Sequence, residues 1–139
     1  MNAKAFFDTN VLVYVVGHDD ARTETADALL AEGGVISVQV LNELAHVCRK
    51  KLGWSWDDVD DALAAIRELC PSPVPLTTEI YDVGRRIAAK YGYSIYDGVI
   101  AAAALEAGCD ILYSEDLQHG QRIEKRLTIR NPFRTSARL

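Results

Sequence analysis

The apolar residues of this chain occur in several very short runs, separated by longer stretches in which apolar residues recur at helical spacing. The short runs lie at residues 4–8, 35–37, 74–76, 111–113 and 127–129. Runs of this length between turn-forming residues are typical of buried strands. Short strands that alternate with helices favour a mostly parallel sheet covered by helices on both faces. The pattern predicts an α/β fold with about five short strands flanked by helices.

Small polar residues precede several of the predicted helices and are suited to cap them. Ser37 precedes a helix that runs to about residue 52, and Ser55 begins the next one. Thr77 or Thr78 begins a third helix, and Ser94 begins a fourth that is rich in alanine. Because alanine side chains are small, the last of these helices can lie close to a sheet or to another helix.

The length and composition are those of an ordinary soluble domain. The 139 residues favour one domain that spans residues 1–139. No apolar run approaches the roughly 20 residues that cross a membrane, and the N-terminus lacks a signal-peptide pattern. The three cysteines are too widely spaced for a disulfide framework or a zinc site. We expect a cytoplasmic protein with no membrane association.

The charge is unevenly distributed along the chain. The formal net charge is −5, yet residues 117–139 contain six basic residues and one acidic residue, a net charge of +5. The first 116 residues therefore carry −10. A basic segment of this kind is typical of nucleic-acid contacts, and a solvated basic tail is an equally good interpretation.

Four carboxylates are candidates for a common site. Asp8 and Asp116 follow the first strand and the strand at residues 111–113, and such ends meet at one edge of a parallel sheet. Asp97 lies in the first turn of the Ala-rich helix, and Glu43 lies in the helix after Ser37. Because unpaired buried carboxylates are costly, a hard divalent cation with oxygen ligands, Mg²⁺ or Mn²⁺, would stabilise the cluster.

Each of these acidic residues also has a purely structural interpretation. Asp97 could be an acid that the helix dipole stabilises, Glu43 one more residue of a solvated polar stripe, and Asp116 part of a turn. Asp8 is the hardest to explain in this way, because it stands between two apolar runs. Spacing alone leaves the acidic cluster and the structural interpretation open.

The order and intervals of these motifs resemble those of the PIN domain. The motifs are Asp8-Thr9-Asn10 after an N-terminal strand, Glu43 in the helix after strand two, Tyr96-Asp97 opening an Ala-rich helix, and residues 112–116 with the sequence LYSED. More narrowly, they resemble VapC-type ribonuclease toxins of bacterial toxin–antitoxin pairs. The resemblance covers nearly the whole chain. That family often has threonine where this chain has Ser114, which keeps the hydroxyl group.

The resemblance implies a PIN-like fold and Mg²⁺- or Mn²⁺-dependent hydrolysis of RNA phosphodiester bonds. It places the catalytic and metal-binding acids at Asp8, Glu43, Asp97 and Asp116, and the supporting polar groups at Asn10 and Ser114. Asp8 and Asp97 would be direct ligands, while Glu43 and Asp116 would hold metal-bound waters or a second ion. Glu115 ranks below Asp116, because neighbours along an extended chain point apart.

The resemblance also implies partners. VapC-type proteins usually form homodimers, and a cognate antitoxin holds them inactive by masking the acidic site. Tyr14, Trp54 and Trp56 could contribute to such surfaces or equally to the core. Flanking RNA phosphates would be held by basic residues, for which the candidates are Arg122, Lys125 and Arg126, with Arg85, Arg86 and Lys90.

A different class of function stays open. The chain could be a degenerate PIN module that binds RNA or protein without cutting, although the presence of all four acids favours catalysis. A haloacid-dehalogenase-like phosphotransferase is disfavoured, because it needs a second Asp where this chain has Asn10.

Overall fold

The structure is a computed structural model that describes residues 3–17 and 21–134 of the chain. These residues form six helices and four strands, which confirms the α/β prediction. The helices are α1 (Thr9–Gly17), α2 (Thr23–Ala31), α3 (Val38–Lys50), α4 (Trp56–Leu69), α5 (Thr78–Tyr91) and α6 (Ile95–Glu106). The strands are β1 (Ala5–Phe7), β2 (Ile111–Tyr113), β3 (Arg122–Ile123) and β4 (Leu127–Arg130). Within the described ranges, no helix has the length and apolar character needed to cross a membrane.

The strands form one mixed sheet in the order β1-β2-β4-β3. β1 pairs with β2 and β2 with β4 in parallel, and only β3 runs antiparallel to its neighbour. The predicted strands at residues 35–37 and 74–76 are reduced to isolated bridges, from Val35 to Phe6 and from Ser37 to Val74. Three of the five expected strands are therefore present, and β3 brings the total among the described residues to four. For residues 35–37 the reason is local, because Ser37 already caps α3 and leaves no residues to extend a ladder.

Strand β3 was not predicted, because a strand of two residues leaves no periodicity to detect. It forms a hairpin with β4 through Glu124 and Lys125, which both adopt positive φ angles of 52° and 61°. Two consecutive positive φ angles are those of a type I′ hairpin turn, in which Asn-Gly is the usual sequence. Helix α5 supports this turn, since Lys90 forms a 2.9 Å ion pair with Glu124 and the Tyr91 hydroxyl accepts the Glu124 backbone N–H.

The predicted helix caps are confirmed. The hydroxyl oxygens of Ser37, Ser55, Thr77 and Ser94 each accept a hydrogen bond from the backbone N–H three residues further on. Satisfying one of the unpaired N–H groups of a first turn in this way typically contributes about 1 kcal/mol. These caps define where α3 and α6 begin, and so where Glu43 and Asp97 lie in space.

Two glycines allow α5 and α6 to pack in close contact. A Cβ atom at Gly84 would lie 2.7 Å from the Val99 Cα atom, and one at Gly98 would clash with the Gly84 carbonyl oxygen. Residues 98–105 of α6 are all buried, and most of them are small. The expectation that the small side chains of this helix allow close packing is confirmed. Asp97 immediately precedes this contact.

We expect Gly98→Ala to destabilise the protein by about 1–3 kcal/mol, because the added methyl group overpacks the contact between α5 and α6. The loss should appear even though alanine is intrinsically the better helix former by about 1 kcal/mol. Urea unfolding measures the change. Ala89→Ser, at an exposed position on α5, is the control and should alter the free energy of unfolding by less than about 0.5 kcal/mol. An unchanged or higher stability of Gly98→Ala would contradict this account of the packing.

Candidate active site

The site begins at the carboxyl ends of β1 and β2. The parallel register pairs Phe7 with Tyr113, so the residues that follow, Asp8 and Ser114, become neighbours. The Asp8 N–H donates to the Tyr113 carbonyl at 2.9 Å, and the Ser114 hydroxyl donates to Asp8 Oδ2 at 2.8 Å. Both side chains are buried, Asp8 with 4% and Ser114 with 0% of its surface exposed. The apolar strands thus hold a carboxylate where water scarcely reaches it.

The two residues after Asp8 complete its environment. The Thr9 backbone N–H donates to Asp8 Oδ1 at 2.7 Å, and the Asn10 side-chain amide donates to Oδ2 at 3.3 Å. The side-chain oxygen of Asn10, Oδ1, accepts a hydrogen bond from the backbone N–H of Glu115 at 3.0 Å. Asn10 therefore ties the end of β1 to the segment after β2, and with Ser114 it holds the orientation of Asp8.

Glu43 reaches the same region from α3. The Thr9 hydroxyl donates to Glu43 Oε1 at 2.9 Å, and the Gln39 amide donates to Oε2 at 3.0 Å. Sequence reasoning did not assign this role to Thr9 or Gln39. The spacing of four residues between Gln39 and Glu43 was the available signal, because such pairs lie on one helix face. Thr9 is 7% exposed, so its hydroxyl has little water to bond instead.

Asp97 and Asp116 line the same cavity, which has a volume of about 800 Å³. Asp97 occupies the third position of α6, where its backbone N–H donates to the Ser94 hydroxyl at 3.1 Å. Asp116 lies beyond β2 on the exposed side of the cavity. All four carboxylates that the sequence singled out line this one space. The remaining lining residues are Thr9, Asn10, Val13, Gln39, Asn42, His46, Val47, Lys51, Ser94 and Tyr96.

The acids perturb one another in the direction expected for a cluster. Burial raises the pKa of Asp8 to about 7, the hydrogen bonds from Ser114 and Thr9 oppose that rise, and the charges of Asp97 and Glu43 add to it. Burial also raises the pKa of Asp97, with a further rise from Glu43 and, more weakly, from Asp116. A raised carboxyl pKa means that the charged form destabilises the folded protein, and such shifts are common at functional sites.

Glu115 belongs to a different environment. Its carboxylate accepts a hydrogen bond from the Tyr14 hydroxyl and forms a 2.9 Å ion pair with Arg22. It is absent from the lining of the acidic cavity, whereas its neighbour Asp116 is present. The two adjacent side chains thus lie in different surroundings, and the ranking of Asp116 above Glu115 as a site residue stays a prediction.

Known proteins share this architecture. The PIN domain family model matches residues 5–123, which includes β1, all six helices, β2 and β3. This chain belongs to the PIN domain family. No curated protein matches its sequence significantly.

Solved structures of VapC and toxin–antitoxin proteins resemble this PIN domain in fold. The Mycobacterium tuberculosis toxin VapC20, described as cleaving the Sarcin-Ricin loop, has 23% sequence identity and a TM-score of 0.68, with 81% of this chain and 90% of VapC20 covered. A Klebsiella pneumoniae toxin–antitoxin complex has 16% identity and a TM-score of 0.70, with 94% and 98% covered. Rickettsia felis VapBC2, bound to a promoter DNA fragment, has 19% identity and a TM-score of 0.64, with 91% and 98% covered.

The donor set of this PIN domain fits a hard divalent cation. Its acidic groups supply only oxygen ligands, the kind that Mg²⁺ and Mn²⁺ prefer. Within the described part of the chain, no Lys or Arg forms an ion pair with Asp8, Glu43, Asp97 or Asp116. In the same residues, no three His, Cys, Asp or Glu side chains are close enough to hold one ion directly. An ion here would therefore keep water molecules in its coordination shell, as Mg²⁺ commonly does.

The basic residues predicted to hold RNA phosphates lie outside the acidic cavity. Arg122 donates to the Lys125 carbonyl, and Arg126 donates to the Leu105 carbonyl at 3.1 Å. None of Arg122, Lys125 and Arg126 lines the cavity, and Lys90 is paired with Glu124. Their role in binding RNA stays a prediction. The basic side chains that do line the cavity are Lys51 and His46, both contributed by α3 and its C-cap.

The raised pKa of Asp8 predicts how the stability of the metal-free protein depends on pH. The unfolded chain loses the Asp8 proton near the ordinary pKa of 3.8, whereas the folded chain keeps it up to about 7. Stability should therefore fall as the pH rises through this window, by an amount on the order of 4 kcal/mol from Asp8 alone.

Asp8→Asn should lack this component of the pH dependence, because the amide cannot ionise. Its carbonyl oxygen can still accept the Thr9 N–H, while its NH2 group takes the place of the oxygen that faces Ser114. Urea unfolding in EDTA, repeated across the pH range for both proteins, measures the difference. The contribution of Asp97 is largely common to both proteins and is subtracted in the comparison. Parallel stability curves for the two proteins would show that burial does not raise the pKa of Asp8.

Proposed function

We propose that this PIN domain is a divalent-metal-dependent endoribonuclease that hydrolyses RNA phosphodiester bonds and acts as the toxin of a toxin–antitoxin pair. The observation that carries the proposal is that four acids from separate segments, Asp8, Glu43, Asp97 and Asp116, line one cavity. They are the catalytic and metal-binding residues of the proposal. Membership of the PIN family and the fold shared with VapC20, described as a cleaving toxin, support it.

The four acids would divide the work according to their burial. Asp8 and Asp97 would hold the ion directly, because both are placed where a carboxylate is costly without a cation. Glu43 and the exposed Asp116 would orient water molecules or hold a second ion. A bound Mg²⁺ or Mn²⁺ would lower the pKa of a water molecule and offset negative charge on the phosphate oxygens.

The surrounding polar residues keep these carboxylates in position. Ser114 and Asn10 hold Oδ2 of Asp8, and the Thr9 N–H holds Oδ1. The Thr9 hydroxyl and Gln39 hold the two oxygens of Glu43. Fixing the acids before substrate arrives matters because a small displacement of a catalytic group has a large effect on rate.

The proposed partners are a cognate antitoxin and a second copy of the chain, and the proposed location is the cytoplasm. Structures of toxin–antitoxin complexes share the fold. A second cavity of about 760 Å³ has an apolar floor that includes Val16, Leu30 and Trp54. Its rim carries Asp27, Asp58 and Asp61, so it suits a protein segment with apolar and basic side chains.

Cleavage of RNA by the purified protein tests the proposal. With Mg²⁺ or Mn²⁺ we expect the wild type to cut RNA and Asp8→Asn to be slower by more than about 100-fold, the effect typical of removing one group that stabilises charge in a transition state. EDTA should abolish the activity of the wild type.

Glu115→Gln is the matched control, because it neutralises an adjacent carboxylate that lies outside the cavity. It should cut RNA at close to the wild-type rate. Equal rates for the wild type and Asp8→Asn would refute the assigned site. Absence of both cleavage and Mn²⁺ binding would favour a binding module without catalysis, whereas absence of cleavage by a protein that still binds Mn²⁺ would indicate that the site exists and acts on another substrate.

Metal binding can be measured without reference to activity. At a Mn²⁺ concentration of about 100 times its Kd, the wild type should gain about 3 kcal/mol in free energy of unfolding. Asp8→Asn and Asp97→Asn should lose most of this gain, whereas Glu115→Gln should keep it. Titration of each protein with Mn²⁺, followed by thermal unfolding, gives the comparison. A gain that survives in both Asp variants would place the ion elsewhere.

A further inference from the structure

A groove beside the acidic cavity has the opposite electrostatic character. It has a volume of about 650 Å³ and is lined by Asn42, Ala45, His46, Arg49, Lys50 and Trp56. All but Trp56 belong to α3, and Trp56 is the first residue of α4. None of these lining residues is acidic. We name this surface, defined by His46, Arg49, Lys50 and Trp56, the basic–aromatic groove.

The groove is continuous with the acidic cavity. Asn42 and His46 line both spaces, and Lys51 at the C-cap of α3 lines the acidic one. Glu43, His46 and Lys50 lie on one stripe of α3 at spacings of three and four residues, so the groove follows the acidic cavity along this helix. From Glu43 to Arg49 the rise along the helix axis is only about 9 Å. A chain that reached the carboxylates would have this groove beside it.

Trp56 is exposed and yet held in place. Trp56 is 60% exposed to solvent and, with Tyr96, is the most exposed of the large apolar residues that the structure describes. The Arg49 guanidinium lies 5.0 Å from the ring centroid, and the same group donates to the Trp54 carbonyl at 2.8 Å. The Arg49 guanidinium, held by its hydrogen bond to the Trp54 carbonyl, thus packs against the Trp56 ring. A large part of the indole is still exposed and can stack on a base.

We propose that the basic–aromatic groove binds the single-stranded RNA that flanks the bond to be cleaved, with a base stacked on Trp56 and phosphates held by Arg49 and Lys50. This rests on the proposed function, whose acidic site it extends. An exposed aromatic ring among cations is the arrangement with which proteins bind single strands. The groove also places positive charge where a polyanion would otherwise meet the net negative charge of the protein.

A second copy of the chain is a less suitable occupant. A stable interface between copies needs a contiguous apolar core, whereas Trp56 is the only large apolar side chain among the described residues that line this groove. Several exposed acidic residues follow Trp56 on α4, but none of them lines the groove, so they would not repel RNA bound there directly. Charge and aromatic character together favour RNA.

Binding of an end-labelled, short single-stranded RNA in Mg²⁺ tests the proposal, with every protein carrying Asp8→Asn so that the probe is not cut. Trp56→Ala should weaken binding about tenfold, since stacking on one aromatic ring contributes on that scale. Trp56→Phe should bind nearly as well as the parent. RNA should quench tryptophan emission in the parent, and this quenching should largely disappear in Trp56→Phe.

The charge component has a separate signature. Substituting Arg49 and Lys50 together by glutamine should weaken binding and reduce the salt dependence of log Kd by about 0.7 for each phosphate that these side chains no longer neutralise. This variant keeps Trp56 and tests the groove even if Trp56→Ala does not fold. Tyr81→Ala is the matched control, because Tyr81 on α5 is an aromatic residue of similar exposure, 50%, outside the groove.

The outcomes distinguish this proposal from the proposed function. If the wild type cuts RNA while the Trp56 and Arg49/Lys50 variants, in the Asp8→Asn background, bind the probe as tightly as the control does, the groove proposal is overturned and the nuclease stands. If the wild type cuts no RNA but the probe binds to Asp8→Asn and quenches Trp56, the groove proposal stands and catalysis fails. If light scattering shows that Trp56→Ala has a lower oligomeric mass than the parent while its RNA affinity is unaltered, the groove is an interface between copies and the proposal is overturned.

Discussion

The hydrogen bond from Ser114 to Asp8 is the interaction on which the site depends, and the parallel pairing of β1 with β2 produces it. The register fixes which residues emerge side by side at the carboxyl edge of the sheet. The apolar strands then bury the Asp8 carboxylate, and its pKa rises to about 7 because burial outweighs the hydrogen bonds it receives. The fold thus holds an acid that is unfavourable when charged, which is the condition that makes a bound cation stabilising.

The other carboxylates are placed by helix starts. Ser37 and Ser94 cap α3 and α6, and these caps set the positions of Glu43 and Asp97 relative to the sheet. The close contact between α5 and α6 at Gly98 then holds the helix that carries Asp97. The packing of α5 on α6 next to Asp97 and the hydrogen bonds at the helix starts therefore act together to place these two carboxylates.

Much of this could be predicted from residue order. The α/β class and the caps follow from apolar periodicity and from small polar residues that precede the helices. Spacing alone left the convergence of the four acids open, and the resemblance to the PIN domain indicated it. The strand count could not be predicted, because Ser37 serves as a cap and ends the extended segment at once. The supporting bond from Thr9 to Glu43 was missed, since it joins residues that only the tertiary structure brings together. The basic–aromatic groove was missed for the same reason, because its tryptophan and cations come from two helices.

The basic residues near the C-terminus and those of α3 lie in different surroundings. The basic segment near the C-terminus directs Arg122 and Arg126 to backbone carbonyls, whereas α3 carries Glu43 and Arg49 less than two turns apart. A cavity lined by four acids repels phosphate unless a cation neutralises part of its charge. The proposed groove would add positive charge beside this cavity. In the proposed arrangement α3 supplies both conditions, because Glu43 lines the acidic cavity while His46 and Lys50, which follow it on the same stripe at spacings of three and four residues, line the groove.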